Sequence, residues 1–392
     1  MAIPALAKDV YTYIYLLICT PWLLSHFTLD ILLQLLPWNR PTAEWSLNQA
    51  ARMRLISLVL LYWSLARSGD RLTLGHGRER NRFEAIPPAS PKLYRAILSH
   101  ALIRPDKLGM TWTPSRPPPA DLVGSSIVVA LHFHGGGFVI GNGRDEDTGY
   151  LARTLIRHLG CTHVCTPQYR LASGKNGQFP APFQDALTAY VNLIRDKRIP
   201  ATQIILSGDS AGANIVLGLL RYIHEYGELD DIPLPAAVTL WSPWVDVGAA
   251  LHQDMTLSPN YKTDYLNREF GRWGASAISG FGKVDLSSPY LSPLHHPFTP
   301  AASIPMYVNA GEREVLCDDI KGFCQRYREV GWQICLDVSK GCPHDIILLG
   351  STVGFAAEAE EAAENAGRFL VENAGVNLRN LNRVRLVGLE GK

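Results

Sequence analysis

A serine between two glycines is the residue of this chain best suited to act as a nucleophile. Ser210 is the centre of the segment Gly-Asp-Ser-Ala-Gly at 208–212, which follows an apolar run and precedes a run with helical periodicity. A serine on a tight turn from strand to helix projects its hydroxyl away from the backbone, and small neighbours let the strand and helix approach each other. The helix N-terminus behind it favours developing negative charge. The segment therefore predicts nucleophilic catalysis by Ser210, with Asp209 in a supporting role.

A glycine-rich turn earlier in the chain could stabilise the charge that such a nucleophile generates. His134 is followed by three glycines at 135–137, and consecutive glycines let backbone amides turn toward a ligand without obstruction by side chains. The amides of Gly136 and Gly137, together with that of Ala211, are predicted to form an oxyanion hole. His134 is expected to bond backbone groups and so hold the loop.

Alternating strands and helices must position these residues. Six apolar runs are typical of strands: 126–133, 162–166, 203–207, 237–241, 305–310 and 334–338. Five segments have helical periodicity: 149–159, 182–195, 214–226, 321–330 and 353–373. The alternation predicts βαβ units and a mostly parallel central sheet with helices on both faces. Catalytic groups lie at the carboxyl ends of such strands, where Ser210 and the glycine turn both fall.

The regions around this α/β core are predicted to cover it. Residues 1–112 are expected to form an N-terminal helical cap that could also anchor the chain to a membrane, and residues 113–375 the catalytic domain. Residues from about 246 to 300 interrupt the alternation with aromatic residues, proline and glycine, which predicts a second cap insertion over the strand ends. Residues 376–392 are expected to be a C-terminal tail.

Together these motifs resemble the hormone-sensitive-lipase-like branch of the α/β-hydrolases, which includes bacterial carboxylesterases and arylacetamide deacetylase. Two further segments carry the resemblance: Tyr-Arg-Leu-Ala at 169–172 with Phe-Pro-Ala at 179–181, and Ser-Pro-Trp-Val-Asp at 242–246. Ser173 and Gly174 replace the Pro-Glu that usually follows the first. The resemblance covers about residues 125–372 and implies the α/β-hydrolase fold. The extended N-terminal region is similar to that of fungal members.

The resemblance also implies the partners of the serine. A serine hydroxyl needs a base to take its proton and a carboxylate to orient that base. His344 follows the last predicted strand, where the family places its histidine. The acid is a departure: aligning the family pattern Asp-x-Leu-x-Asp on Leu316 and Asp318 puts Glu314 where the catalytic aspartate stands. We expect Glu314 to be the acid, with Asp318 as the alternative.

The expected activity is hydrolysis of carboxylic esters through an acyl-enzyme on Ser210, with His344 as general base. This chemistry needs neither a metal nor a cofactor. Two alternatives stay open: acyl transfer or ring closure by the same serine machinery in secondary metabolism, and a non-catalytic ligand receptor on the same fold. The glutamate at 314 favours the receptor, whereas the presence of His344 opposes it.

Aromatic residues near the motifs indicate an apolar pocket for a small hydrophobic ester. Phe138, Trp241 and Trp244 are predicted to line it. The resemblance implies short or medium acyl chains, and fungal members suggest acetylated or lactone-bearing secondary metabolites.

Composition excludes several other classes of protein. The 392 residues carry a formal net charge of +1 and no basic stripe, which argues against nucleic acid as a partner. The 7 cysteines lack Cys-x-x-Cys spacing and predict neither a disulfide framework nor a zinc site. The oligomeric state is left open.

The N-terminus is the most apolar part of the chain. Residues 10–29 contain no Lys, Arg, Asp or Glu, a length that could cross a bilayer, although Pro21, His26 and Asp30 weaken that prediction. The stretch 55–66 is flanked by arginines, which is typical of an amphipathic helix. Two interpretations stay open: membrane attachment, or soluble cap helices that are apolar because they face the substrate cleft.

The same region bears on localisation. A secretory signal needs a basic start and a small-residue cleavage site, and the N-terminus offers only Lys8 and no such site. We therefore expect an intracellular protein, cytoplasmic or membrane-associated, with the endoplasmic reticulum as one candidate membrane.

Overall fold

A single eight-stranded sheet forms the centre of the protein. The computed structural model describes residues 5–117, 127–300, 302 and 304–378. The strands are β1 (Phe83–Ile86), β2 (Leu108–Thr113), β3 (Val129–Phe133), β4 (His163–Gln168), β5 (Ile204–Asp209), β6 (Ala237–Trp241), β7 (Met306–Gly311) and β8 (Ile334–Ser339). Their order in the sheet is β1-β2-β4-β3-β5-β6-β7-β8. From β4 to β8 every pairing is parallel, whereas β2 pairs antiparallel with both β1 and β4.

Helices cover both faces of this sheet. They are α1 (Ala5–Gln34), α2 (Leu47–Ala66), α3 (Asp145–Thr154), α4 (Ala181–Val191), α5 (Ser210–Asp230), α6 (Ala249–His252), α7 (Arg268–Ile278), α8 (Cys317–Glu329), α9 (Ile346–Val353) and α10 (Ala356–Asn373). Buried apolar residues of α4, α5 and α8 belong to one core, and those of α3 and most of those of α10 belong to the other. The predicted α/β architecture, mostly parallel with helices on both faces, is confirmed.

Three elements were not expected from the sequence: helix α9 and strands β1 and β2. The helix expected at 353–373 is α10 and begins at Ala356, because Gly354 adopts φ +88° and its amide bonds the carbonyl of Gly350 at 2.9 Å, which ends α9. Strands β1 and β2 join the sheet at one edge from a region that was expected to be helical. An edge strand of four residues offers too short a pattern to be recognised from sequence.

The start of the strand predicted at 126–133 and most of the C-terminal tail predicted at 376–392 fall outside the described residues.

The N-terminal helices form two successive layers on the body of the protein. Helix α2 is bound to it by hydrogen bonds from Gln49 Nε2 to the Gly354 carbonyl at 2.9 Å and from Asn267 Nδ2 to the Ser57 carbonyl at 3.1 Å. Helix α1 runs antiparallel along α2, as the next contacts show: Tyr62 Oη donates to Thr20 Oγ1 at 2.6 Å, and Arg54 pairs with Asp30 at 2.8 Å. Residues Leu17–Gln34 of α1 are long and apolar enough to cross a membrane by length and composition.

Candidate active site

The turn between β5 and α5 holds Ser210 in a strained conformation. Its φ is +49°, a region that a serine seldom adopts, and its side chain lies at the first residue of α5. Gly212, in the first turn of α5, lies against the end of β3, because a Cβ there would be 1.9 Å from the carbonyl oxygen of Phe133. The start of α5 can therefore approach β3 and the glycine loop after it only if residue 212 is glycine.

Three predicted residues form one hydrogen-bonded chain. The hydroxyl of Ser210 donates to His344 Nε2 at 2.9 Å, and His344 Nδ1 donates to Glu314 Oε2 at 2.9 Å. His344 is 2% exposed and Glu314 is fully buried. The arrangement can remove the serine proton and stabilise the imidazolium that results.

The alternative acid lies elsewhere. Asp318 is on α8, its side chain is 87% exposed, and it is 3.5 Å from Lys321. The carboxylate that meets His344 is thus that of Glu314, at the position given by the motif alignment.

Residues of the second cap insertion hold the acid loop in place, a role that the sequence analysis missed. Asn260 Nδ2 donates to the backbone carbonyl of Glu314 at 2.9 Å, and the amide of Val315 donates to Asp264 Oδ2 at 2.8 Å. The edge of the Tyr265 ring meets the imidazole of His344, with centroids 5.7 Å apart. No motif marks these residues; their only signal was their place in a segment expected to cover the strand ends.

The charges around His344 favour its protonated form. Burial lowers the pKa of His344, but the hydrogen bond and charge of Glu314, with the charges of Asp264 and Asp345, outweigh it and raise that pKa to about 9. Burial raises the pKa of Asp264 to about 6, partly offset by the attraction of His344. The base is therefore strongly stabilised in the form that it takes after accepting a proton.

The glycine loop lies directly against the nucleophile. Gly136 and Gly137 have φ of +98° and +60°, and a Cβ on Gly136 would lie 2.3 Å from the carbonyl oxygen of Ile140. No hydrogen bond among the described residues uses the amide of either glycine. With Ala211 in the first turn of α5, these amides can receive a developing oxyanion.

Asp209 and His134 support this loop. Asp209 accepts from the amide of Gly135 at 2.7 Å through one carboxylate oxygen and contacts His132 Nε2 at 2.8 Å through the other. His134 Nδ1 donates to the carbonyl of Gly135 at 2.8 Å, and its ring stacks on Tyr169 with centroids 4.4 Å apart. Burial lowers the pKa of His134 to about 4, so it is a neutral structural group.

A cavity of about 620 Å³ opens beside Ser210 and His344. Its apolar wall comes from three elements: α2 with Leu55, Ile56, Val59, Leu60 and Trp63, the cap insertion with Tyr265, Leu266 and Phe270, and α9 with Leu348 and Leu349. Asp70, Glu146 and Asp147 lie on its polar side. The cavity is large enough for a drug-sized hydrophobic molecule.

The three aromatic residues predicted for the pocket do not line this cavity. Trp241 is on β6 and packs against Tyr307 in the core on the other face of the sheet, and its indole donates to Ser207 Oγ at 3.2 Å. Phe138 and Trp244 pack together, 5.8 Å apart, in the buried core below the site. A sequence shows that a large apolar side chain will be buried but not against which face, and here α2 supplies the aliphatic wall instead.

A residue just before α2 also reaches the catalytic histidine loop. The indole Nε1 of Trp45 donates to the carbonyl of Gly341 at 2.8 Å, and Trp45 is 2% exposed. The N-terminal region is thus part of the support of the site. Among the described residues no group of three or more His, Cys, Asp or Glu side chains is arranged to hold a metal ion.

Comparison with known proteins agrees with this architecture. An esterase of the bacterial hormone-sensitive lipase family superposes with a TM-score of 0.58 at 24% identity, covering 84% of this chain and 99% of that one. An acetyl-hydrolase of Streptomyces hygroscopicus is 28% identical over 210 residues, which are 53% of this chain and 64% of that protein. The versiconal hemiacetal acetate esterase of Emericella nidulans is 27% identical over 217 residues, 55% of this chain and 73% of that protein.

A family model for the alpha/beta hydrolase fold matches residues 130–348, more than half of the chain, from the strand before the glycine loop to the helix after the histidine. The chain belongs to the alpha/beta hydrolase fold family.

Proposed function

We propose that this protein is a serine carboxylesterase. The observation that carries the proposal is the buried hydrogen-bonded chain from Ser210 through His344 to Glu314, at the edge of a cavity with an apolar wall. Relatives named acetyl-hydrolase and acetate esterase support the same reaction class.

In the proposed mechanism Ser210 attacks the ester carbonyl while His344 takes its proton, and the amides of Gly136, Gly137 and Ala211 hold the oxyanion. His344 then protonates the departing alcohol, which leaves an acyl-enzyme. Water then attacks the acyl carbon while His344 takes its proton, and His344 returns that proton to Ser210 Oγ as the bond between Oγ and the acyl group breaks and the acid leaves. Glu314 accepts the hydrogen bond of His344 Nδ1 and stabilises the imidazolium in both steps.

We propose small hydrophobic esters with short or medium acyl chains as the substrates, and the apolar wall of the cavity supports their hydrophobic character. Aliphatic side chains of α2 face the nucleophile across the cavity, so the apolar part of an ester can be buried there while its carbonyl reaches Ser210. Acetylated or lactone-bearing molecules of secondary metabolism are the substrate class that we propose within this range; the names acetyl-hydrolase and acetate esterase of two relatives support the acetylated part of it.

Replacing the nucleophile tests the proposal. Ser210→Ala should lower turnover of p-nitrophenyl acetate by more than about 10⁴-fold, and it should abolish labelling by a fluorophosphonate probe. Ser99→Ala, at an exposed serine away from the cavity, is the matched control and should keep both properties. Undiminished turnover by Ser210→Ala would contradict the proposal, and a wild-type protein that fails to label would favour a ligand receptor instead.

Acyl transfer or ring closure uses the same groups up to the acyl-enzyme. Analysis of products with an added alcohol separates these reactions: an esterase yields the free acid, whereas a transferase yields the new ester. A membrane surface as a partner is also proposed, from the apolar α1.

A further inference from the structure

The outward face of α1 is a large apolar surface that the fold leaves uncovered. Leu17, Ile18 and Trp22 are 75%, 71% and 62% exposed, and Leu29 and Leu32 follow along the same helix at 51% and 57%. A cap helix could be apolar because it faces the cleft, but no described side chain of α1 lines the cavity. Helix α2 lines the cavity instead, and this position explains why α2 is apolar but not why α1 is.

The same contacts argue against a membrane span by residues 17–34. This segment lies along α2, with Thr20 opposite Tyr62 and Asp30 opposite Arg54. A span would therefore draw α2 into the hydrocarbon together with its arginines. Charged side chains inside the bilayer are costly, and α2 is also bonded to the catalytic body through Arg52 Nη1, which donates to the carbonyl of Thr352 at 3.2 Å.

We propose that the outward face of α1 lies in the plane of a lipid bilayer surface, and that the ester enters the catalytic cavity from the membrane side. The entrance is the edge of α2, where Leu55, Val59 and Trp63 are each exposed and also line the cavity. The proposed membrane docking is inferred from the exposed apolar face of α1 alone, whereas the proposed route of the ester also rests on the proposed esterase activity.

A bilayer fits this surface better than a second copy of the chain. The outward face of α1 carries aliphatic side chains and Trp22, and the exposed Trp38 follows just beyond the end of the helix; tryptophan favours the boundary between lipid and water. Asp30 is the one Asp, Glu, Lys or Arg residue in 17–34 and pairs with Arg54 of α2, so contact of this face with lipid buries no unpaired charge. A protein partner seated over the edge of α2 would close the cavity, whereas fluid lipid would deliver hydrophobic esters to it.

Vesicle flotation tests the docking with the full-length protein. Wild type, Ile18→Asp/Leu29→Asp and the control Leu102→Asp/Leu229→Asp, which changes two leucines on other surfaces that are at least as exposed, are floated with phosphatidylcholine vesicles. The first double variant should bind about 100-fold more weakly, because two large aliphatic side chains no longer enter the lipid. Wild type and control should float alike. All three should hydrolyse dissolved p-nitrophenyl acetate equally without vesicles.

The entry route is tested with p-nitrophenyl decanoate carried in the same vesicles. Its turnover should fall with flotation in Ile18→Asp/Leu29→Asp and stay at the wild-type level in the control. Equal flotation of all three proteins would overturn the docking. It would also be overturned if wild type did not float and instead formed a dimer that Ile18→Asp/Leu29→Asp abolishes. Flotation that follows the variant without a fall in decanoate turnover would overturn the entry route. If wild type floated with the vesicles but hydrolysed neither ester, the proposed esterase activity would be refuted and the docking would remain supported.

Discussion

Glutamate at 314 meets His344 through one oxygen only. Oε2 accepts from the imidazole at 2.9 Å, and the buried Oε1 has no hydrogen-bond partner among the described residues. A glutamate is one methylene longer than an aspartate, so its loop must hold it back from the histidine; Asn260 and Asp264 bond that loop at its backbone. An acid with few hydrogen bonds of its own is a strong partner for an imidazolium, which agrees with the raised pKa of His344.

Removing the charge of Glu314 should therefore move the pH dependence of activity. His344 acts as a base only when it is neutral, so kcat/KM of the wild type should rise with pH through about 9, the raised pKa of His344. Glu314→Gln removes the largest influence that raises this pKa, so its lower activity should rise at a more acidic pH. Asp318→Asn, at the exposed alternative, should leave the profile unchanged, and identical profiles for wild type and Glu314→Gln would contradict the assignment.

The motifs sufficed to predict which residues meet at this scale, because each follows the carboxyl end of a strand. Asn260 and Asp264 could not be predicted, since their function depends on where an irregular insertion folds back. The aromatic residues were misplaced for a related reason: hydrophobicity predicts burial but does not distinguish the wall of a cavity from the core below it.

At the scale of elements, the close packing of α5 against the end of β3 supports the turn that carries Ser210. Gly212→Ala would bring a methyl group within 1.9 Å of the Phe133 carbonyl, which is backbone and cannot move aside. We expect it to lower the free energy of unfolding by about 1–3 kcal/mol and to reduce esterase activity, as measured by chemical denaturation and ester turnover.

Gly322 provides the control on another helix. A Cβ there would meet only Leu294 Cδ1 at 3.6 Å, an ordinary contact, and alanine is the better helix former. Gly322→Ala should therefore be neutral or stabilising with activity unchanged. If both variants were equally stable, the steric argument for Gly212 would fail.

Sequence periodicity predicted the parallel strands but not the two antiparallel strands at one edge of the sheet. β3 to β8 are apolar runs separated by helices, which is a strong pattern, whereas β1 has four residues and β2 is interrupted by Gly109. The start of α10 was placed three residues too early because a lone glycine in a helical run is ambiguous until its backbone is seen in the left-handed region.

At the scale of the whole molecule, the buried histidine couples folding to pH. The pKa of His344 is raised from 6.5 to about 9, so its contribution to stability is complete below pH 6.5 and is lost as pH rises through about 9. The wild type should lose up to about 3 kcal/mol of unfolding free energy from this group over that window.

Denaturation of wild type and His344→Gln at both ends of the window measures that loss. The difference between the two proteins should shrink as pH rises, because glutamine does not titrate. A difference that stays constant from pH 6.5 to pH 9 would show that His344 has an ordinary pKa in the folded protein.

The bond between Trp45 and Gly341 has a consequence for how such a protein can change over evolution. Gly341 is three residues before His344, and the indole that holds its carbonyl is supplied from nearly three hundred residues earlier in the chain. The N-terminal extension is therefore not a detachable module that a lineage can gain, lose or exchange without effect on the reaction. A chimera joined after residue 45 would import a foreign partner for the histidine loop, whereas one joined before it would exchange only α1.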